Sequence, residues 1–264
     1  MVLERLVSVK EAVKKPWSVF IVGAVVAVTS LMVSYVLFPQ SIGIFTTFVI
    51  TICITPFIYN LIKYSEARAE ELIKSGKELN LLARHRDAVI VFASFFAGVV
   101  VAFTLLFLFL PEEFSAKLFQ DQLTTITLIR GSATFASTFE KIVGNNIGVL
   151  TLTFILSFLY GSGAVFILAW NASILGTVLG MTAKSIGGLS GLPMAVLVFF
   201  PHGSLEMLAY FIGGIGGGIA SAAITRRKTE LMPQMLKDSF KLFFIAVILL
   251  LLAGIIETTS IVTG

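Results

Sequence analysis

The stretch that decides the fold is AVIVFASFFAGVVVAFTLLFLFL, residues 88–110, an unbroken apolar run with no charged side chain. It exceeds the ~20 apolar residues a helix needs to cross the hydrocarbon core of a bilayer. Arg84, Arg86 and Asp87 precede it, and Pro111, Glu112 and Glu113 follow it. The same alternation of apolar run and charged cluster recurs along the chain. Of its 264 residues 57% are hydrophobic and 13% charged, and the mean hydropathy is +0.98, well above soluble-domain usage. The sequence therefore specifies an all-α, polytopic transmembrane bundle.

Working outward, Trp17–Phe38 and Ile42–Ile62 form a hairpin of two spans around the Pro39-Gln40-Ser41 break. Residues 63–87 are polar and helix-prone, with Glu70 and Lys74 spaced to pair on one helix face. Beyond Pro111, residues 114–145 mix Leu118, Ile126, Phe135, Phe139 and Ile142 with Thr, Gln, Arg130 and Glu140. That pattern predicts an amphipathic segment at the interface, or one that re-enters the membrane. Ile147–Ala169 reads as the next span, and Asn171–Ala183 as a piece too short to cross. Leu192–Phe200 reads as a dip from the outer side, separated by Pro201 and His202 from a span at Gly203–Thr225, because proline lacks a donor and restricts its predecessor. Phe240–Ile256 closes the series. The count is about seven spans, with short or re-entrant helices near 171–200. The chain divides into 1–62, a basic terminus plus hairpin; 63–87, a helical connection; and 88–264, the membrane core.

Fifteen of the nineteen Lys and Arg residues fall in Met1–Pro16, Lys63–Asp87 and Arg226–Lys241. Cytoplasmic connections retain cations during insertion, so all three segments, and with them the N-terminus of this multi-pass cell-membrane protein, are expected in the cytoplasm. The net charge of +4 flanks the spans and forms no basic face, so nucleic acid is not an expected partner. Cys53, the single cysteine, lies inside a span and is assigned to packing.

An ionisable residue inside a bilayer costs at least ~2.5–3.5 kcal/mol at the centre and marks a functional candidate. His202 and Glu206, four apart in Pro201-His202-Gly203-Ser204-Leu205-Glu206, share one helix face. They either satisfy each other and hold the helix break in place, or form part of a partner, lipid or substrate site. Asn145, Asn146 and Asn171 sit at apolar boundaries, where amides cap helices or bond across them. Gly161, Gly163, Gly176, Gly180, Gly213 and Gly217 read as close helix packing. Two histidines, no HExxH and no GxSxG give no catalytic set and no three-ligand zinc site. No enzyme activity, metal or cofactor is expected.

In combination, Asn145-Asn146-Ile147 opening a span, Gly161 and Gly163, Asn171 followed by Gly176, and Pro201–Glu206 leading into a glycine-rich helix resemble the stage II sporulation protein M family over the C-terminal two-thirds of the chain. Members in spore formers are thought to anchor peptidoglycan hydrolases at a membrane. The resemblance thus implies a scaffold whose partners are other membrane or envelope proteins, alongside membrane lipids and, given the glycine faces, a second copy. A proton-coupled transporter or channel, with Glu206 and His202 relaying protons at discontinuous helices, is the alternative expectation.

Overall fold

The computed structural model describes residues 7–74, 81–129, 135–225 and 232–263. Among them there are α-helices and one 3₁₀ turn, in the order α1 (Val9–Lys14), α2 (Pro16–Leu37), α3 (Ile42–Lys74), α4 (Leu81–Phe109), α5 (Glu112–Leu118), α6 (Gln120–Ile129), α7 (Phe135–Tyr160), α8 (Ala164–Ile186), the turn at Gly188–Gly191, α9 (Leu192–Thr225) and α10 (Met232–Thr263). Seven of the helices are long and apolar enough to span a membrane: α2, α3, α4, α7, α8, α9 and α10. Large apolar side chains point outward along them, Ile52 at 72% and Leu197 at 67% exposure among them. Such an outer surface suits lipid, since only a helix satisfies its own backbone there.

A core of phenylalanines holds the spans together. Phe92, Phe95, Phe96 and Phe103 of α4 are fully buried, and Phe96 stacks on Phe211 of α9 with ring centroids 5.5 Å apart. Where α2 and α4 cross, Gly23 lies against the carbonyl of Phe95 and Gly98 against that of Phe20, so a Cβ at either position would fall on backbone. Beyond the spans, Arg68 pairs with Asp87 and Ser65 Oγ lies 3.1 Å from His85 Nδ1, joining the polar extensions of α3 and α4. The Glu70–Lys74 pairing lies outside the described side chains, and Arg130 and Arg226–Lys228 lie outside the described residues.

The structure redraws three boundaries. The run Ile147–Ala169 is not one span: α7 stops at Tyr160, and α8 starts at Ala164. Gly161, at φ 72°, makes the reversal in the left-handed region that glycine enters without strain. Its N–H donates to the Ser157 carbonyl at 2.7 Å, and Ser157 Oγ accepts from the Ala164 N–H at 3.2 Å, which caps α8. The supposed short piece Asn171–Ala183 is consequently the body of a 23-residue helix, about 35 Å long at 1.5 Å per residue. Nor is there a dip at Leu192–Phe200, because α9 runs without interruption for 34 residues with Pro201 inside it. A buried helix tolerates proline when surrounding helices compensate for the missing bond.

The third revision concerns residues 114–145. Phe135–Asn145 belongs to the α7 span, and α5 with α6 forms the amphipathic part. Gln122 Nε2 donates to Ser173 Oγ at 3.2 Å, and Ser173 lies near the middle of α8. Phe119 is fully buried, packed edge-on to Phe103 and Phe107 of α4. Asp121 Oδ2 accepts from the N–H groups of Gly43 and Ile44 at 2.9 and 3.2 Å, closing the start of α3. The α5–α6 junction thus packs into the bundle about half-way along α8.

Candidate functional site

The polar side chains of the membrane core converge where α7, α9 and α10 meet. Asn145 and Asn146 lie in the N-terminal half of α7, Glu206 about two-fifths of the way along α9 and Glu257 near the end of α10. The glycine-rich half of α9 sets their register. Leu150 stands over Gly213, and the Phe154 carbonyl and Ser157 Cβ stand over Gly217, so side chains at these glycines would push α7 away. On the other flank Ser239 Oγ donates to the Gly216 carbonyl at 2.7 Å, and Val143 presses on Gly254.

With the helices in this register, Asn146 Nδ2 donates to Glu206 Oε1 at 2.6 Å, and Asn145 Nδ2 donates to Asn146 Oδ1 at 3.2 Å. The Glu206 carboxyl also lies beside that of Glu257, with Tyr210, one turn along α9, within electrostatic reach of both. Asn146 is buried, Asn145 exposed, and both carboxyl residues half-buried, so the cluster lies in a crease at the bundle surface.

The other expected members behave differently. His202 is 6% exposed, lies 5.7 Å from the Phe199 ring, and its Nδ1 has no hydrogen-bond partner. The expected His202–Glu206 pair does not form, because Glu206 is taken by Asn146 and Glu257. Asn171 Nδ2 donates to the Ile167 carbonyl of its own helix at 2.8 Å and stands apart from the cluster. Gly176 and Gly180 pack as expected: a Cβ on either would lie 2.8 Å from the Cβ of Phe103 or Phe107 of α4. Among the described residues, no three His, Cys, Asp or Glu side chains gather closely enough to hold a metal ion.

Glu257 and Tyr210 escaped the sequence reading. Tyr210 is four residues after Glu206, on the same face, and that spacing was an available signal. Glu257 follows directly on the last apolar run, Phe240–Ile256, and was given no role. The apolar Ile261-Val262 beyond it was the sign that the helix continues.

Seven apolar helices around a buried aromatic core, with an asparagine–carboxyl cluster among three of them, define a polytopic α-helical membrane protein. Residues 18–260 match the family model described as Stage II sporulation protein M, and the chain belongs to that family. The match takes in the hairpin from residue 18 onward and is not confined to the C-terminal two-thirds. No curated protein and no solved structure matches the chain.

Proposed function

We propose that this protein organises a membrane complex, without catalysing a reaction, by docking partner proteins at the α7–α9–α10 crease. The observation that carries this reading is the half-buried state of Glu206 and Glu257. A carboxyl group on a spanning helix that the bundle covers only in part is costly against lipid, and a partner helix would relieve that cost. The implied scaffold role of the family agrees with it. The cation clusters flanking the spans support a cytoplasmic N-terminus, which puts the Gly161 turn on the cytoplasmic side and the α5–α6 element on the other.

The test pairs two measurements on Glu206→Gln/Glu257→Gln. Digitonin-extracted native membranes run on native gels should show wild type in an assembly larger than the chain and the variant released from it, with thermal stability in detergent little changed. Identical migration contradicts docking. The neighbouring carboxyls of Glu206 and Glu257 also favour a second reading, proton-coupled transport. Proton flux into reconstituted vesicles that Glu206→Gln abolishes would establish that reading in place of the first.

A further inference from the structure

We propose that water enters the wedge between α7, α9 and α10 from the end of the bundle where α7 begins and α10 ends, and hydrogen-bonds to His202 and Thr258 on its way to Glu206 and Glu257. The wedge is then an aqueous half-channel, open at one face of the membrane and closed toward the other. The inference goes beyond docking and does not depend on which partner the crease receives.

Two orphaned polar atoms carry it. His202 is 6% exposed and Thr258 fully buried, and among the described residues His202 Nδ1 and Thr258 Oγ1 have no hydrogen-bond partner. Buried polar groups are ordinarily satisfied by protein or by ordered water. Each of these two stands close to a carboxyl along its own helix: His202 is one turn before Glu206, and Thr258 follows Glu257 directly. Ionisable side chains in spanning helices face the bundle interior or a water-filled cavity, and the orphaned atoms beside this pair select the second.

Helix register directs these groups into one wedge. On α9, Gly213 faces Leu150 of α7, and Gly216 faces Ser239 and Leu242 of α10. At 3.6 residues per turn His202 lies about 20° from Gly213 and about 40° from Gly216, on the arc between them. It therefore points between α7 and α10. On α10, Gly254 faces Val143 of α7, and Thr258 is one turn further along that side. Side chains lean toward the N-terminus of their own helix. Because α9 and α10 run antiparallel as consecutive spans, His202 and Glu206 lean toward the end where α9 starts, and Glu257 and Thr258 lean back toward them.

The two ends of the wedge differ. Toward the α9–α10 connection, Leu150 stands over Gly213 and the Phe154 carbonyl over Gly217, while Leu242, Ala246 and Leu250 are buried. Close helix packing shuts that end. Toward the other end, α10 finishes at Thr263, six residues past Glu257 and about 9 Å away at 1.5 Å per residue. The route from the carboxyls to water is short there, and Thr258 lies along it.

The experiment uses the full chain on a Cys53→Ser background, in sealed native vesicles of both orientations, with silver ion in nitrate buffer as a probe close to water in size. Reaction is read as protection of the thiol from alkylation after unfolding. His202→Cys and Thr258→Cys should react at least tenfold faster than two controls: Ile255→Cys, 48% exposed on the outer face of α10, and Leu242→Cys, 1% exposed at the closed end. They should do so only from the face on which Ser190→Cys is labelled by an impermeant maleimide. Adding Thr258→Val, which keeps the shape and removes the hydroxyl, should slow reaction at His202→Cys at least fivefold, with an unchanged melting temperature as the check on folding. Either substituted thiol suffices, so if one variant fails to fold the other remains the test. Thiols at 202 and 258 no faster than that at 255, equal reaction from both faces, or a rate at 202 indifferent to Thr258→Val overturns the proposal.

Discussion

Asn146 of α7 donates its amide N–H to Glu206 of α9 at 2.6 Å, across 60 residues of chain. The bond ties the glycine-rich helix to its neighbour and leaves Glu206 with Glu257 as its other partner. Both the packing of α7 on α9 and the chemistry of the crease depend on it.

That bond has a measurable coupling. Interhelical hydrogen bonds within membranes contribute about 0.6 kcal/mol on average and at most about 1.7. A double-mutant cycle of Asn146→Ala and Glu206→Ala, followed by unfolding in mixed micelles, should give a coupling in that range. Additive effects would show that the pair does not act together.

The packed glycines of α8 and the exposed glycines of α7 should respond in opposite ways. Gly180→Val places atoms against the Phe107 Cβ and the Thr104 carbonyl, 2.8 and 2.9 Å from the added Cβ. Overpacking of that kind costs about 1–3 kcal/mol. Gly148→Ala enters open space and should be neutral or stabilising by up to about 1 kcal/mol, the helix-propensity difference. Thermal unfolding of the two variants in one detergent checks the contrast.

Asp121 acts as a cap supplied from another helix. Asp121→Ala leaves the Gly43 and Ile44 N–H groups without their acceptor, and loss of a cap costs about 0.5–2 kcal/mol. Hydrogen exchange at these two amides should accelerate, while amides in the middle of α3 keep their protection. Uniform acceleration along α3 would indicate general unfolding.

The sequence made the number of spans legible, because apolar runs alternate with clusters of charge along the chain. It hid the α7–α8 reversal. Gly161-Ser162-Gly163 lies inside a continuous apolar stretch, and glycine within such a stretch serves close packing as readily as a turn. The actual signal was Ser157, whose hydroxyl caps the next helix. Pro201 misled in the opposite sense: in water it would end a helix, but α9 is enclosed by α7, α8 and α10 and continues through it. Of the candidate site, Asn145, Asn146 and Glu206 were legible as polar residues in apolar surroundings. Glu257 was not, since its association with Glu206 spans 51 residues of sequence and arises only from the packing of α9 on α10.

The α7–α8 reversal makes a topological prediction. Tyr160, 71% exposed beside the turn, and Ser190, exposed beyond α8, should lie on opposite faces of the membrane. On a Cys53→Ser background, an impermeant maleimide applied to intact cells should label Ser190→Cys, and label Tyr160→Cys only after permeabilisation. Labelling of both from one side would contradict a complete α8 span.

The central claim, that the α7–α9–α10 crease receives a partner helix, is tested most directly by photo-crosslinking in the native membrane from Ile261, 56% exposed and on the same face of α10 as Glu257. A photoreactive residue there should yield one adduct with a membrane protein, and Glu206→Gln/Glu257→Gln should abolish that adduct. The same probe at Ile52, 72% exposed on α3, should give none. Absence of a protein adduct from position 261, or an adduct indifferent to loss of the two carboxyls, would contradict the account.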